Sequence, residues 1–183
     1  MKKKLKLIPV LMVLLTITGS VWAQAGKDRV TYTIDGGSFH HQLITINSDP
    51  TLRENGAFTS IAGSTYLKIN LDDNTAGNKT GPKWGLDIAF SKVATGTAKV
   101  NEPIANARID HRVYFLLHVQ INGETNYLMS DSKKADQTPG TITITKLGST
   151  VEGTFEGKLR DKGITYTITG GHFVATRKDR FGF

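Results

Sequence analysis

The chain has 183 residues, no cysteine and a net charge of +7. The absence of cysteine excludes disulfides and a lipid anchor attached to a cysteine. Four lysines lie within the first six residues; the rest of the chain has 19 lysines and arginines against 16 acids, a net charge of +3. Its basic residues form only short runs, such as Lys133-Lys134. Nucleic-acid binding needs a clustered basic face, so we expect no nucleic-acid partner.

The first 23 residues have the three parts of an export signal. Met1–Lys6 is positively charged, Leu7–Ile17 is apolar, and Gly19–Ala23 ends on residues that a signal peptidase accepts. The apolar run is shorter than the roughly 20 residues that span a bilayer. We therefore predict a signal peptide over residues 1–23, cleaved after Ala23 or alternatively after Ala25. Residues 24–183 then suit one domain without a transmembrane span, either periplasmic or secreted.

The mature chain is predicted to be built of β-strands, because no long stretch has helical periodicity. Alternating apolar residues or clusters of β-branched residues predict strands at Val30–Phe39, Gln42–Ile46, Thr65–Leu71, Leu86–Phe90 and Arg108–Ile121. The last of these is apolar on both faces, which predicts a strand covered on both sides. It leads into Asn122-Gly123, a strong hairpin signal. Polar stretches predict loops at Thr51–Gly63, Asp72–Trp84 and Ser130–Gly140.

Gly140–Thr176 has the clearest pattern, a meander of three antiparallel strands. In its middle strand, one face carries Val151, Gly153, Phe155, Gly157 and Leu159, and the other carries charged residues and a threonine. This period of two predicts one buried and one solvent-facing side. The turns fall at Gly148-Ser149 and Asp161–Gly163. The predicted fold class is an all-β antiparallel β-sandwich, with a small closed lipocalin-like β-barrel as the alternative.

The first and last strands are near copies of each other. Val30–Phe39 and Ile164–Phe173 share Thr, Tyr, Thr, Ile, Gly, Gly and Phe in the same places. In each copy the Phe stands five residues after the Ile, so a regular strand would direct the two side chains to opposite faces. One inserted residue restores a common face, and glycine tolerates the backbone that this requires. We predict a bulge or tight bend at Gly36-Gly37 and at Gly170-Gly171.

The sequence contains no group of residues with the spacing of a metal site. His40 and His41 are adjacent, so a regular strand directs them to opposite faces. A metal would also need ligands from His111, His118, His172 or Asp110, and zinc spacing is absent. Asp72–Gly77 lacks the alternating ligands and the distant Glu of an EF-hand. We predict no metal and no cofactor.

Catalytic residues are not predicted either. No serine lies in a Gly-x-Ser-x-Gly elbow. Glu152 and Glu156 share the solvent-facing side of the meander, where they are expected to balance basic neighbours. Trp84, in a predicted loop, would offer an aromatic platform for a sugar.

Three short motifs carry a resemblance to a known family. Gly140–Leu147, Val151–Gly157 and Ile168–Phe173 are similar to the closing strands of a family of exported Bacteroidota proteins of unknown function. The resemblance covers about a quarter of the chain and implies a small β-sandwich-like fold. It implies no activity and no site residues. Members often carry a lipoprotein cysteine, which this chain lacks.

These observations predict an exported, non-enzymatic β-domain that acts as a binding or accessory module of the cell envelope. The alternatives are a β-barrel carrier of a small apolar ligand and a carbohydrate-binding module. The expected partner is a cell-surface glycan, a small apolar ligand or an envelope protein. A cavity of roughly several hundred Å³ lined by Gly153, Phe155 and Gly157 would favour the carrier, and a filled core would favour the module.

Export has a direct test. The intact mass of protein recovered from the cell envelope or the medium should correspond to a chain that begins at Gln24 or Gly26. Recovery of the uncleaved Met1 form from the inner membrane would contradict the predicted signal peptide.

Overall fold

The computed structural model describes residues 28–61, 65–73, 82–105, 112–121, 124–129 and 140–178. The predicted signal peptide and the predicted hairpin turn at Asn122-Gly123 lie outside these ranges. Every regular element within them is a β-strand, and none of their residues forms a helix of membrane-spanning length and hydropathy. The strands are β1 (Asp28–Gly36), β2 (Phe39–Ser48), β3 (Gly56–Ile61), β4 (Thr65–Asp72), β5 (Lys83–Phe90), β6 (Gly96–Lys99), β7 (Tyr114–Ile121), β8 (Glu124–Met129), β9 (Thr141–Leu147), β10 (Thr150–Asp161) and β11 (Ile164–Lys178).

The strands form one large sheet in the order β2-β1-β11-β3-β4-β5-β7-β8-β10-β9-β6. Neighbours are antiparallel except β3 and β11, which run parallel where Ala57 pairs with Arg177 and Phe58 with Lys178. β11 also pairs with β1 and β10 along its length. The predicted all-β, antiparallel class is confirmed. The sheet is not closed into a barrel, so the lipocalin-like alternative is wrong.

A single hydrophobic core receives side chains from all eleven strands. Strands that are not neighbours in the sheet meet across it, because the sheet bends back on itself. The rings of Tyr32 in β1 and Trp84 in β5 have centroids 6.3 Å apart, and those of Phe115 in β7 and Phe155 in β10 are 5.3 Å apart. Two parts of the sheet therefore face each other as the layers of a sandwich do.

The C-terminal meander is confirmed as β9, β10 and β11, with turns where the sequence predicts them. Val151, Phe155 and Leu159 of β10 are buried, whereas Thr154 and Glu156 are exposed. The glycines on the buried face are covered by aromatic rings. The ring of Phe173 occupies the space beside Gly153, and the ring of Phe115 lies beside Gly157.

Both predicted glycine irregularities are present. Gly36 and Gly37 have φ of +128° and +56° at the end of β1, where the register shifts so that Gly36 pairs with Phe39. In β11, Thr169 pairs with Thr33 and His172 with Thr31, so two glycines oppose the single residue Tyr32. Phe173 is fully buried in the same core as Ile168, as predicted. Phe39 packs against that core and is partly buried.

Two sequence assignments need correction. Part of the predicted loop Thr51–Gly63 is strand β3, in which Ala57 and Phe58 are buried. The segment lacks clear alternation, and its pairing with the distant end of β11 is a contact that local patterns do not reveal. The prediction that Arg108–Ile121 forms a strand buried on both faces is also only partly correct. The strand begins only at Tyr114, and Tyr114 and Leu116 on its outer face are half-buried.

The two glycines of the β11 bulge should resist substitution for different reasons. Gly170 has φ +61° and open space around it, whereas a Cβ on Gly171 would lie 2.2 Å from the carbonyl oxygen of Phe155. We expect Gly170→Val and Gly171→Val each to lower the free energy of unfolding by about 1–3 kcal/mol. Gly170→Asn should lose less, because Asn tolerates positive φ.

Urea denaturation measures these losses. Gly148→Ala, where the nearest atom is 3.9 Å away, is the control. Losses at Gly170 and Gly171 no larger than that of the control would contradict the structural role of the bulge.

Candidate functional site

The outer face of four adjacent strands carries a row of paired residues. Asp72 at the end of β4 pairs with Gly85 of β5, Gly85 pairs with His118 of β7, and His118 pairs with Tyr127 of β8. Their neighbours Leu71, Leu86, Leu117 and Leu128 are buried in the core. Because successive side chains point to opposite faces of a strand, this row faces outward. We call Asp72, Asp87, His118 and Tyr127 the polar patch.

Gly85 allows two strands on either side of β5 to touch. His118 Nε2 lies 2.9 Å from Asp72 Oδ1, directly over Gly85. A Cβ on Gly85 would stand 2.0 Å from His118 Nε2 and 2.4 Å from Asp72 Oδ1. A real Cβ never comes so close to these atoms, so the ion pair requires glycine at this position.

His118 also approaches a second carboxylate. Its Nδ1 is 4.0 Å from Asp87 Oδ2, and the imidazole is only 19% exposed. The hydrogen bond with Asp72 raises the pKa of His118 above its usual value, against the opposing effect of burial. Burial raises the pKa of Asp87, while the nearby His118 and Lys68 oppose that rise. Burial, with the charge of Asp87, raises the pKa of Tyr114 to about 12.

Tyr127 gives the polar patch an exposed aromatic surface. Tyr127 is 54% exposed, and in the described part of the chain it is one of three large apolar residues that are exposed. The ring centroid lies 6.0 Å from that of His118, with the planes inclined at 55°. An exposed ring beside half-buried carboxylates is an arrangement that binds polar molecules with an apolar face.

The backbone of Asp72 is fixed from the side of β2. The Ser48 hydroxyl donates to the Asp72 carbonyl at 2.6 Å, and the Asp72 amide donates to Asn55 Oδ1 at 3.3 Å. Asn55 is fully buried and donates in turn to the Asp49 carbonyl at 3.2 Å. The connection between β2 and β3 thus positions one carboxylate of the polar patch.

A second surface feature lies on the outer face of β10 and β11. It is a groove of about 220 Å³ that opens beside the β11 bulge. Its lining residues are Gly140, Thr141, Glu156, Gly157, Lys158, Thr167, Ile168 and Thr169.

Among the described residues, the histidines that the sequence singled out form no common cluster. His40 and His41 are exposed near the β1–β2 turn, where His41 Nδ1 lies 3.1 Å from Asp35 Oδ2. His172 is exposed on β11, and His111 and Asp110 lie outside the described residues. No group of three potential metal ligands occurs in the part of the chain that the structure describes.

The prediction that Trp84 lies in a loop and offers an exposed platform for a sugar is wrong. Trp84 belongs to β5, is only 7% exposed, and packs against Tyr32 and Phe39 in the core. Glu152 makes the expected ion pair, 2.6 Å from Lys146 Nζ. Much of the predicted Asp72–Gly77 turn, residues 74–77, lies outside the described residues.

Sequence reasoning missed the polar patch because its members are far apart in the chain. The single signal available was Gly85 between apolar strand residues, since a glycine inside a strand often marks a close approach. Comparison with family models, curated proteins and solved structures gives no match for this chain. The resemblance to exported Bacteroidota proteins therefore stays a prediction.

The ion pair over Gly85 predicts a pH dependence of stability. A histidine whose pKa is raised by folding stabilises the protein fully below its unfolded pKa of about 6.5, and this stabilisation is lost as the pH rises through the folded value. We expect the melting temperature to fall between pH 6 and pH 9 and to fall less in the His118→Gln variant.

Differential scanning calorimetry at several pH values measures this difference. His172→Gln, which changes an exposed histidine on β11, is the matched control and should follow the wild type. Equal pH profiles for the wild type and His118→Gln would contradict the ion pair.

Proposed function

We propose that the chain is an exported, non-enzymatic β-domain that acts as a binding module of the cell envelope. The observation that carries this proposal is the packing of the core around β10. The rings of Phe173, Phe115 and Phe155 fill the space beside Gly153, Gly157 and Gly171. Binding is therefore assigned to the surface of the domain.

The alternative of an apolar carrier receives less support from the same packing. A pocket for an apolar ligand is typically about 300–1,000 Å³ and lies within the apolar interior. The groove beside the β11 bulge, at about 220 Å³, is smaller than this range.

The polar patch is our choice of binding surface, and a neutral glycan is the ligand class that its chemistry favours. Asp72 is paired with His118, and Asp87 interacts electrostatically with both His118 and Lys68. Balanced charges do not select an ionic ligand, but the carboxylates and the imidazole can hydrogen-bond sugar hydroxyls. The exposed ring of Tyr127 supplies a surface on which a sugar ring can stack.

Titration calorimetry with the mature protein tests this proposal. The probes are neutral hexasaccharides of α-linked glucose, β-linked glucose, xylose and mannose. We expect at least one to bind, and Tyr127→Ala to weaken that binding by about tenfold or more, since aromatic residues often dominate binding energy. Ile164→Ala, which shortens an exposed side chain on β11, should bind as the wild type does.

Two results would contradict the proposal. A saccharide bound equally well by the wild type and Tyr127→Ala would remove the polar patch as the binding surface. Stoichiometric binding of an apolar fluorescent probe, without binding of any saccharide, would favour the carrier.

A further inference from the structure

The sheet ends on β2, a strand with a free edge. β2 pairs with β1 on one side, and no strand in the described ranges pairs with its other side. It is ten residues long and contains no Asp, Glu, Lys or Arg. Edge strands of natural proteins normally carry charge, proline or a strong twist, which prevents pairing with other chains. β2 has neither charge from these residue types nor proline, and its regular pairing with β1 runs from Gln42 to Ser48, beyond an irregularity at His41, which has φ +48°.

The middle of β2 presents an apolar side chain to solvent. Leu43 is 69% exposed, more than any other large apolar residue in the described ranges. Its neighbours Ile44 and Ile46 are buried in the core, so the strand is held firmly on its inner face. Thr45, on the same face as Leu43, is also exposed. A fixed strand with an open edge and an exposed leucine is suited to pairing with another strand.

We propose that β2 pairs antiparallel with β2 of a second copy of this chain, across a twofold axis close to Leu43. Such a pair places Leu43 of each copy beside the other and covers both. It keeps the core-facing side chains of the two sheets on one side, because residues opposite each other share a face. β2 contains no Asp, Glu, Lys or Arg that would repel its own copy.

The opposite end of the sheet favours this symmetric arrangement. The other edge strand, β6, has only four residues and carries Lys99. Pairing of β2 with β6 would be short, and it would be head-to-tail, so that each added copy would leave a new free edge. Pairing of β2 with β2 uses the longer strand twice and closes after two copies.

A single introduced cysteine tests the contact directly, because the chain has none of its own. We expect Leu43→Cys to form a disulfide-linked dimer under mild oxidation at micromolar protein concentration. Thr154→Cys, at an exposed position in β10 with β11 and β1 between it and β2, should stay largely uncrosslinked. Equal crosslinking of the two variants would overturn the proposal.

Sedimentation velocity over a range of concentrations provides an independent measurement without cysteine. The wild-type mature protein should form dimers. Leu43→Lys should weaken dimerisation by about tenfold or more, because two like charges would meet at the axis. Thr154→Lys adds the same charge elsewhere and should dimerise as the wild type does. A monomeric wild type at 100 µM or more, or growth into open-ended assemblies, would overturn the proposal; circular dichroism checks that each variant folds.

Discussion

Phe155 is the centre on which the packing of this sheet depends. Its ring lies over Gly171 of β11 and touches three other aromatic rings, those of Tyr32, Phe115 and Phe173. The contact is reciprocal, because Phe173 of β11 lies over Gly153 of β10. Each glycine leaves space on the core face that the neighbouring strand fills with a ring. Close packing of this kind leaves little freedom to change the volume of either partner.

The same glycines connect the core to the course of the backbone. Gly170 and Gly171 form the bulge that returns Phe173 to the core side of β11. Without the additional residue, Phe173 would face solvent and the space over Gly153 would be empty. The strand irregularity and the aromatic packing are therefore one structural feature.

Most of the strands could be predicted from the sequence because alternation is a local property. The meander, the turns at Gly148 and Lys162, and both glycine irregularities follow from spacing within a few residues. β3 could not be predicted, since its buried residues Ala57 and Phe58 are adjacent and its parallel partner is near the C-terminus. Trp84 ends the predicted loop Asp72–Trp84, whose Asn, Gly, Thr and Pro residues are typical of loops, whereas its burial depends on the distant residues Tyr32 and Phe39.

The polar patch could not be predicted for a related reason. Asp72 and His118 meet only because β5 lies between them and carries glycine at the crossing point. No spacing along the chain encodes that meeting, which depends on the register of three strands. The position of Asp72 also depends on Asn55, in the connection between β2 and β3. The buried side-chain oxygen of Asn55 accepts a hydrogen bond from the backbone amide of Asp72.

The position of β11 has a consequence for the order in which the molecule is made. β11 pairs with β1, β3 and β10, and Asp28 at the start of β1 accepts hydrogen bonds from the amide and hydroxyl of Thr176, 148 positions later in the chain. A ribosome synthesises the C-terminal residues last. During nearly the whole of synthesis, β1 therefore lacks the pairing with β11 that it has in the folded protein. Contacts of such long sequence separation also form slowly. The pairing of β1 with β11, and with it the completed core, can therefore form only after the last strand has been synthesised.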